Sequence, residues 1–254
     1  MRPHASGRVQ AKDRDLSLEE NAASGNAASR GIEALPSPES KTQLWWCGIA
    51  PDPERLEVFE HWLSQAERSR AARFGDRRLR DRFVMGRGSL RTILASALGC
   101  DAASVEIERG HRGRPQLAGA RAFDFNISHT AGVAIVGITR IGRIGVDVER
   151  LDRAINVAGI ARKFMTSNER ETIAGLDGDN ARRHLLTLWT CKEAMSKATG
   201  DALTAPFGQI DIAVDDERRR LAAGPGVYCA NDWSLHAAAV PRAYAATVAL
   251  WRPR

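Results

Sequence analysis

The sequence predicts an α+β fold made of two similar α+β halves in a pseudo-twofold arrangement, with a ligand cleft between the halves. Three observations support this prediction. The hydrophobic period changes between helix-like and strand-like segments along the chain. A strand, a turn, a helical segment and a long helix that ends in glycine occur in that order twice, from Leu44 and again from Ile144. Residues 63–68 and 166–170, which precede the two long helices, also resemble each other.

The first half is expected at residues 42–130, after a leader at 1–41. The leader is rich in Ala, Ser, Asn and Gly and poor in large apolar residues, so we expect it to be disordered. An apolar strand at 44–49 opens the first half and is followed by a proline-rich turn. A long helix is predicted at 77–98, because apolar residues recur at helical spacing until Gly99.

The second half is expected at residues 131–254. Strands at 133–139 and 144–149 are predicted to form a hairpin around 140–143. The later elements follow from the same hydrophobic patterns and are helices at 157–164, 167–174 and 182–199, and strands near 209–214, 233–240 and 244–251.

The composition is that of an ordinary globular protein. The 254 residues are 43% apolar and 27% charged, which is enough to bury a core. No apolar run approaches the roughly 20 residues that span a bilayer, and residues 1–14 lack the apolar segment of a signal peptide. We therefore expect a cytoplasmic protein without membrane contacts. The four cysteines have no metal-ligand spacing and are expected to be buried as small apolar residues: Cys47, Cys100, Cys191 and Cys229.

Positive charge is concentrated in one segment. The formal net charge is +6, and residues 66–91 alone contain nine arginines against three acidic residues. An arginine-rich segment with a helical pattern indicates an anionic partner, such as a phosphorylated small molecule, an acidic protein or a nucleic acid. Charge alone favours the simpler interpretation of a solvated helix face.

The strongest local signal lies in the strand at 144–150. Side chains two residues apart share one face of a strand, so Val146 and Val148 are expected to pack inward while Asp147 and Glu149 project side by side. Two carboxylates held this close repel each other unless a cation or a proton lies between them. Oxygen ligands of this kind suit Mg²⁺, which often bridges to substrate phosphates. An exposed strand face with alternating acids explains the same pattern without a metal.

A second signal is the helical segment at 188–198. Trp189, Glu193 and Lys197 recur four residues apart and share one face. In isolation, Glu193 and Lys197 are best explained as an ion pair on the helix surface. If this face lies opposite Asp147, Glu193 supplies a further carboxylate and Lys197 a cation beside the same phosphate. The buried stripe of the helix is predicted at Leu188, Cys191, Met195 and Ala198.

A third signal is the end of the strand at 123–128. Ser128 and His129 place a hydroxyl and an imidazole at a sheet edge, where phosphate oxygens bind readily. A lone histidine is more often a structural residue. Upstream, a Gly-Arg-Pro turn would hold Arg114 rigidly, although such a turn needs no function. The chain has no P-loop, no dinucleotide-binding glycine motif and no nucleophile elbow, which argues against those enzyme classes.

Together these segments resemble the 4′-phosphopantetheinyl transferases of the surfactin-synthetase-activating (Sfp) type. The resemblance rests on three motifs in order, Phe-Asn-Ile-Ser-His at 125–129, Gly-Val-Asp-Val-Glu at 145–149 and Trp-Thr-Cys-Lys-Glu-Ala at 189–194, and extends over about 44–214. Members of this family fold as a monomeric pseudo-dimer with coenzyme A between the halves. The resemblance implies transfer of the 4′-phosphopantetheine group from coenzyme A to a serine of an apo acyl or peptidyl carrier protein, with release of adenosine 3′,5′-bisphosphate.

The resemblance also implies a metal site and a catalytic pair. Asp147, Glu149 and Glu193 match the residues that bind Mg²⁺ around the pyrophosphate of coenzyme A. Glu193 matches the base that accepts the proton of the carrier serine, and Lys197 matches the cation that stabilises charge on the leaving phosphate. Asp147, Glu193 and Lys197 would therefore also contact coenzyme A. Three carboxylates beside a pyrophosphate repel it without a cation, which agrees with a metal requirement.

Further positions match the residues that hold coenzyme A itself. Ser128, His129 and Arg114 match residues that bind its phosphates, and Arg70 together with Arg82 matches the grip on its 3′-phosphate. The implied partners are coenzyme A and the carrier protein, without nucleic acid, and residues 151–165 are expected to contact the carrier. The chain departs from the family after Gly200, where Ala202 replaces a usual second glycine.

Three alternatives remain open. A basic nucleic-acid-binding module would use the arginine-rich segment, but aromatic residues are only 6% of the chain and the acidic residues stay unexplained. A Mg²⁺-dependent nucleotide phosphohydrolase would use water in place of the carrier serine. A catalytically inactive protein with the same fold would not need Asp147, Glu149, Glu193 and Lys197 all to be present.

Overall fold

The computed structural model describes residues 27–119, 122–215 and 218–253. None of the helices in these ranges is long and apolar enough to cross a membrane. The helices are α1 Pro53–Trp62, α2 Gln65–Ala71, α3 Arg77–Leu98, α4 Val157–Phe164, α5 Ser167–Ala174 and α6 Gly178–Thr199. The strands are β1 Ile32–Leu35, β2 Thr42–Gly48, β3 Ile107–Arg109, β4 Pro115–Leu117, β5 Asp124–Thr130, β6 Val133–Thr139, β7 Arg143–Arg150, β8 Asp211–Asp215, β9 Arg218–Ala223, β10 Trp233–Ala237 and β11 Tyr244–Trp251.

The predicted α+β fold with two similar halves is confirmed. An antiparallel sheet in the order β1-β2-β6-β5 packs with α1 to α3, and a second antiparallel sheet in the order β7-β11-β10-β9-β8 packs with α4 to α6. Strands β3 and β4 form a separate two-stranded ribbon. A third apolar cluster, which includes Leu44, Ile135 and Val248, joins the two sheets.

The two halves begin their helical layers in the same way. In α2 the Ser64 side chain accepts a hydrogen bond from the Glu67 amide and the Glu67 carboxylate accepts one from the Ser64 amide. Thr166 and Glu169 form the same reciprocal cap on α5. Such capping boxes satisfy amide groups that a helix start leaves free. The similarity of residues 63–68 and 166–170 therefore reflects an identical local structure.

Each capping glutamate also pairs with a buried cation on the following long helix. Glu67 contacts Arg91 at 2.8 Å, and Glu169 contacts Lys192 at 2.6 Å. Arg91 and Lys192 each stand fifteenth in a helix of 22 residues, and each helix ends at a glycine in the left-handed conformation. This repeated arrangement supports the internal duplication that the sequence indicates.

Strands β6 and β7 do not form the predicted hairpin. β6 pairs with β2 and β5, whereas β7 pairs along its whole length with β11 in the other sheet. The two strands instead stack face to face: a side chain at Gly137 of β6 would lie 2.7 Å from Ile144 and 2.9 Å from Val146 of β7. The apolar face of β7 therefore covers the first sheet, and the chain changes sheets between Thr139 and Arg143.

The predicted boundaries of the halves need two corrections. β6 completes the first sheet, so that sheet extends to Thr139 and not to residue 130. The predicted leader at 1–41 is not wholly disordered, because Ile32–Leu35 pairs with β2 and Ala28 is buried in the first core. The four residues of β1 are enough to form a strand, because β2 already offers an ordered edge with which they pair. Residues 1–26 lie outside the described part of the chain.

The cysteine prediction is correct for two of the four residues. Cys47 and Cys191 are buried in the two cores. Cys100 and Cys229 are exposed, because Cys100 follows the glycine that ends α3 and Cys229 precedes a short turn between β9 and β10.

Candidate active site

Strand β7 places two carboxylates against helix α6. Val146 and Val148 are buried on one face of β7, as predicted, and the opposite face carries Gly145, Asp147 and Glu149. A side chain at Gly145 would lie 1.9 Å from the Ala194 carbonyl oxygen of α6. The missing side chain lets the helix backbone approach the strand, and this contact brings the acidic face of β7 to α6.

Asp147 lies at the centre of a compact polar cluster. Its Oδ1 accepts a hydrogen bond from Ser128 Oγ at 2.7 Å and from Lys197 Nζ at 2.5 Å, and Lys197 also donates to Ser128 at 2.8 Å. Asp147 is 5% exposed. Its second oxygen, Oδ2, is buried without a hydrogen-bond partner in the described part of the chain. A buried carboxylate oxygen without a hydrogen-bond partner is a candidate ligand for a cation.

Two further carboxylates face the same region. Burial raises the pKa of Glu193, and the negative charges of Asp147 and Glu149 raise it further. Burial also raises the pKa of Glu149, against the effect of Arg153, which contacts it at 2.6 Å. The three acids therefore influence one another, as the sequence predicts. Within 27–119, 122–215 and 218–253, however, no three His, Cys, Asp or Glu side chains form a group that could hold a metal ion, so the three-ligand Mg²⁺ site stays a prediction.

A basic groove lies on the first half. It has a volume of about 770 Å³ and is lined by Ala66, Ser69, Arg70, Arg73, Phe74 and Arg109. Arg70 packs over the Phe83 ring, 5.2 Å from its centre. Partial burial and the charge of Arg109 lower the pKa of Arg70. Guanidinium groups gathered in this way are a site for a phosphate or another anion.

His129 lies in the electric field of several cations. Its ring reaches solvent at the end of β5, but the protein atoms around it, followed by the charges of Lys197, Arg87 and Arg70, lower its pKa. A neutral imidazole beside three cations donates or accepts a hydrogen bond without adding charge. The charges of both the groove arginine Arg70 and the active-site candidate Lys197 therefore act on His129.

The sequence did not single out Arg109 or Arg87 as site residues, and of these two only Arg109 lines the groove. Arg87 packs over Phe83 at 5.7 Å with Glu67 at 3.8 Å. The spacing of Phe83 and Arg87, four residues apart on a helix, is the signal that indicates a shared face. Arg82, which was expected to hold a phosphate, does not line this groove.

Arg114 is held by contacts inside the protein. Its side chain is 5% exposed and makes two hydrogen bonds to Asp124, at 2.9 and 2.6 Å. It also donates to the carbonyl oxygens of Lys197 and Ile144, both at 2.8 Å. With four donor contacts inside the protein, Arg114 joins β5, β7 and α6, and its phosphate-binding role stays a prediction.

Ser128 lies on β5, an edge strand of the first sheet. It is nevertheless 4% exposed, because its hydroxyl group is engaged by Asp147 and Lys197. The neighbouring residue His129 is exposed.

Comparison with known sequences identifies both halves. The profile of the 4′-phosphopantetheinyl transferase superfamily matches residues 143–249, and that of the 4′-phosphopantetheinyl transferase N-terminal region matches residues 47–139. The division falls at the turn where the chain changes sheets.

Similar proteins extend over most of the chain. "4′-phosphopantetheinyl transferase HetI" of Nostoc sp. is 32% identical over 211 residues, which are 79% of this chain and 86% of that protein. The 4′-phosphopantetheinyl transferase of Bacillus subtilis is 26% identical over 155 residues, 61% of this chain and 68% of the relative.

Two solved holo-(acyl-carrier-protein) synthases are similar to parts of the structure. The Thermotoga maritima enzyme covers 45% of this chain and 65% of its own, with a TM-score of 0.37 and 17% identity. The Bacillus anthracis enzyme, in complex with CoA (3′,5′-ADP), covers 44% of this chain and 98% of its own, with a TM-score of 0.32 and 26% identity. With matching profiles over both halves and a relative aligned over most of its length, the chain belongs to the 4′-phosphopantetheinyl transferase superfamily and is a phosphopantetheinyl transferase.

Proposed function

We propose that this enzyme transfers the 4′-phosphopantetheine group of coenzyme A to a serine of an apo acyl or peptidyl carrier protein, in a Mg²⁺-dependent reaction that releases adenosine 3′,5′-bisphosphate. The observation that carries the proposal is the buried, unpaired Oδ2 of Asp147, whose charge acts on Glu149 and Glu193. A basic groove lined by Arg70, Arg73 and Arg109 on the first half supports it. Such an arrangement suits a long substrate with several phosphates.

The basic groove supports binding of coenzyme A. Phosphate groups form bidentate hydrogen bonds with arginine, and the groove offers three guanidinium groups within one concave surface. Phe74 adds an apolar wall, and the charges of Lys197 and Arg70 both act on His129. In our proposal the 3′-phosphate of coenzyme A contacts Arg70, and its pyrophosphate extends past His129 towards Lys197.

The acidic cluster supports binding of a divalent cation. Asp147 Oδ2 is buried and unpaired, and Glu149 and Glu193 raise the negative charge beside it. In our proposal Asp147 Oδ2 would bind Mg²⁺, and Glu149 and Glu193 would complete the site once the ion draws them together, since carboxylate oxygens are the protein ligands that this ion prefers. When bound, the ion would neutralise the negative charge that develops on the phosphate oxygens.

Glu193 and Lys197 provide the remaining chemistry. Burial and neighbouring acids raise the pKa of Glu193, which makes this carboxylate a stronger proton acceptor for the serine hydroxyl of the carrier. Lys197 is 27% exposed and reaches the site from the next turn of α6, where its ammonium group is held by Asp147 and Ser128. There it stabilises charge on the leaving bisphosphate.

A transfer assay tests the proposal directly. The protein is mixed with coenzyme A, Mg²⁺ and apo carrier proteins, and intact mass spectrometry measures addition of the phosphopantetheine arm. We expect addition with the wild-type chain, none after chelation of the metal, and at least about a 100-fold lower rate in Glu193→Gln, since general-base catalysis contributes about 10²–10⁴-fold. Glu57→Gln, at an exposed position on α1, is the matched control and should transfer normally.

The same assay separates the alternatives. Release of adenosine 3′,5′-bisphosphate without any carrier would support a phosphohydrolase. Wild-type transfer rates in Glu193→Gln would remove this residue from the mechanism. Tight RNA or DNA binding that weakens steeply with salt would support a nucleic-acid-binding module.

A further inference from the structure

The ribbon of β3 and β4 carries an arginine that lines the groove, but few hydrogen bonds of its own stabilise it. Each strand has three residues, and the ribbon pairs with neither large sheet. A two-stranded hairpin is only marginally stable in isolation. Arg109 is the last residue of β3 and lines the basic groove. Its placement therefore depends on what holds the ribbon.

Arg109 rests directly on the loop that joins the two strands. A side chain at Gly113 would lie 3.4 Å from Arg109 Nη1, so the guanidinium group lies against the backbone of the loop. The Gly110 amide donates to the Arg114 carbonyl at 2.8 Å, and the Gly113 amide donates to the Gly110 carbonyl at 3.0 Å. A shift of this loop therefore moves the cation that faces the groove.

The loop is tied to the second half of the molecule through Arg112. Its Nη1 contacts Asp201 Oδ1 at 2.5 Å and donates to Thr204 Oγ1 at 2.8 Å. Asp201 and Thr204 lie just after α6, the helix that carries Glu193 and Lys197. The contact therefore connects the groove of one half with the catalytic helix of the other.

Other contacts hold both residues of this ion pair in place. Asp201 also accepts a hydrogen bond from Tyr228 at 2.8 Å, and its amide donates to Thr199 Oγ1 at 3.2 Å, so contacts other than that with Arg112 position the carboxylate. Arg112 has φ 54° and Ala202 has φ 50°. Left-handed backbone costs free energy for residues other than glycine, so such conformations persist where surrounding contacts hold them.

We propose that Arg112 is a positioning residue, whose ion pair with Asp201 fixes the β3–β4 loop and thereby places Arg109 in the groove that binds coenzyme A. The inference rests on the proposed function for the identity of that anion. Arg112 is 45% exposed and Asp201 27% exposed. A pair of this exposure contributes at most about 1 kcal/mol, which corresponds to about a five-fold change in affinity.

The test compares Arg112→Asn and Asp201→Asn with the wild-type chain. Asparagine tolerates the left-handed backbone at position 112, so this variant removes the ion pair with little added strain. Calorimetry measures the dissociation constant of coenzyme A, and transfer kinetics measure KM and kcat. We expect each variant to raise the dissociation constant and KM by about two- to five-fold with kcat little changed, and the double variant to add no further rise. Arg220→Asn, at an exposed position on β9, is the control and should match the wild type.

A second background distinguishes positioning of Arg109 from general support of the fold. In an Arg109→Ala chain, Arg112→Asn should change neither affinity nor KM, because the group that it positions is absent. An unchanged dissociation constant in Arg112→Asn, or an equal loss in the Arg109→Ala background, would overturn the inference. Loss of transfer with intact coenzyme A binding in the wild-type chain would contradict the proposed function alone, and a wild-type chain that binds no coenzyme A would overturn both.

Discussion

The two carboxylate oxygens of Asp147 differ in their hydrogen bonding. Oδ1 is held by Lys197 and Ser128, whereas Oδ2 is buried without a partner in the described residues. An unsatisfied buried polar atom costs about 1–3 kcal/mol. Such a cost is typical of functional sites, where a ligand supplies the missing interaction. The unpaired oxygen therefore points to ligand binding and away from a purely structural role for this cluster.

Lys192 differs from its neighbour Glu193 in that it is entirely structural. It is 0% exposed, contacts Glu169 at 2.6 Å and donates to the carbonyl oxygens of Phe164, Phe207 and Ile210. Burial lowers its pKa against the opposing effect of Glu169. One ammonium group thus fastens the end of α4, the start of α5 and the approach to β8 onto α6.

Lys192→Met should destabilise the protein strongly. It leaves the 2%-exposed Glu169 carboxylate without its cation, and breaking a buried pair from one side costs about 3–5 kcal/mol. Urea unfolding measures the change in free energy. The double variant Lys192→Met with Glu169→Gln should lose less than the single variant, because no unpaired charge stays buried. A single variant as stable as the wild type would show that this pair does not hold the second half together.

At the scale of single residues, the sequence predicts the face on which a side chain lies better than the contacts that the side chain makes within the protein. Strand and helix periodicity predicts which faces Asp147, Glu193 and Lys197 occupy, because each lies beside buried residues of its own element. The internal contacts of Arg114 could not be predicted, since its partners come from β5, β7 and α6. Arg109 was missed because only the position of the ribbon brings it to Arg70.

The contact of β7 with α6 depends on one glycine. A side chain at Gly145 would lie 1.9 Å from the Ala194 carbonyl oxygen and 2.7 Å from the Ala198 amide nitrogen. Both atoms are helix backbone, so neither can rotate away. The helix as a whole would have to move from the strand, and with it Glu193 and Lys197.

Gly145→Ala should therefore reduce both stability and transfer. Overpacking of a core contact costs about 1–3 kcal/mol, and displacement of α6 should lower kcat for transfer more than the affinity for coenzyme A. Chemical unfolding and transfer kinetics measure the two effects. Gly178→Ala, at the open start of the same helix, meets no atom within 4 Å and should behave as the wild type. If both substitutions left kcat unchanged, the close approach would not matter for the site.

Elements with strong local signals could be predicted with accurate bounds. The helices α3, α4 and α5 match their predictions because capping side chains and a terminal glycine mark their ends. Helix α6 begins four residues earlier than predicted, at Gly178, where Asp177 makes no side-chain cap. The edge strand β1 and the inner strand β9 were not predicted, because pairing with ordered neighbours forms them and their own hydrophobic pattern is weak.

At the scale of the whole molecule, the two halves share a structural arrangement but differ in the candidate site residues that they carry. Both keep a capping glutamate and a buried cation on the long helix, yet only the second half carries Glu193 and Lys197, for which the positions one and five residues after Arg91 hold Thr92 and Ser96. The first half instead contributes the basic groove. In the proposed function each half therefore supplies a different part of the site, so their relative position should matter for transfer.

The segment before β2 is one of the connections between the halves. β1 extends the first sheet, while Glu39 accepts a hydrogen bond from Arg252 and contacts His236 of β10 at 2.8 Å. The Arg140 amide donates to the Lys41 carbonyl at 3.0 Å, beside the turn where the chain changes sheets. This segment, residues 36–41, thus spans the junction of the two sheets.

Glu39→Gln should make this connection weaker at neutral pH only. Burial by itself would raise the pKa of Glu39, but the hydrogen bonds from Arg252 and His236 outweigh it, so the pKa is lowered in the folded chain. A carboxylate with a lowered folded pKa stabilises the protein above its unfolded pKa of about 4.3 and loses that contribution as the pH falls through the folded value. The variant should therefore be less stable than the wild type near neutral pH, and the difference should shrink below about pH 4.

Urea unfolding over this pH range measures the difference. Glu57→Gln, an exposed carboxylate on α1, is the control and should show no pH-dependent difference from the wild type. A constant gap between Glu39→Gln and the wild type from neutral to acidic pH would mean that the Glu39 charge does not hold the two halves together. A gap that closes on acidification would identify this carboxylate as an electrostatic link between the sheet that adjoins the basic groove and the sheet that carries Asp147.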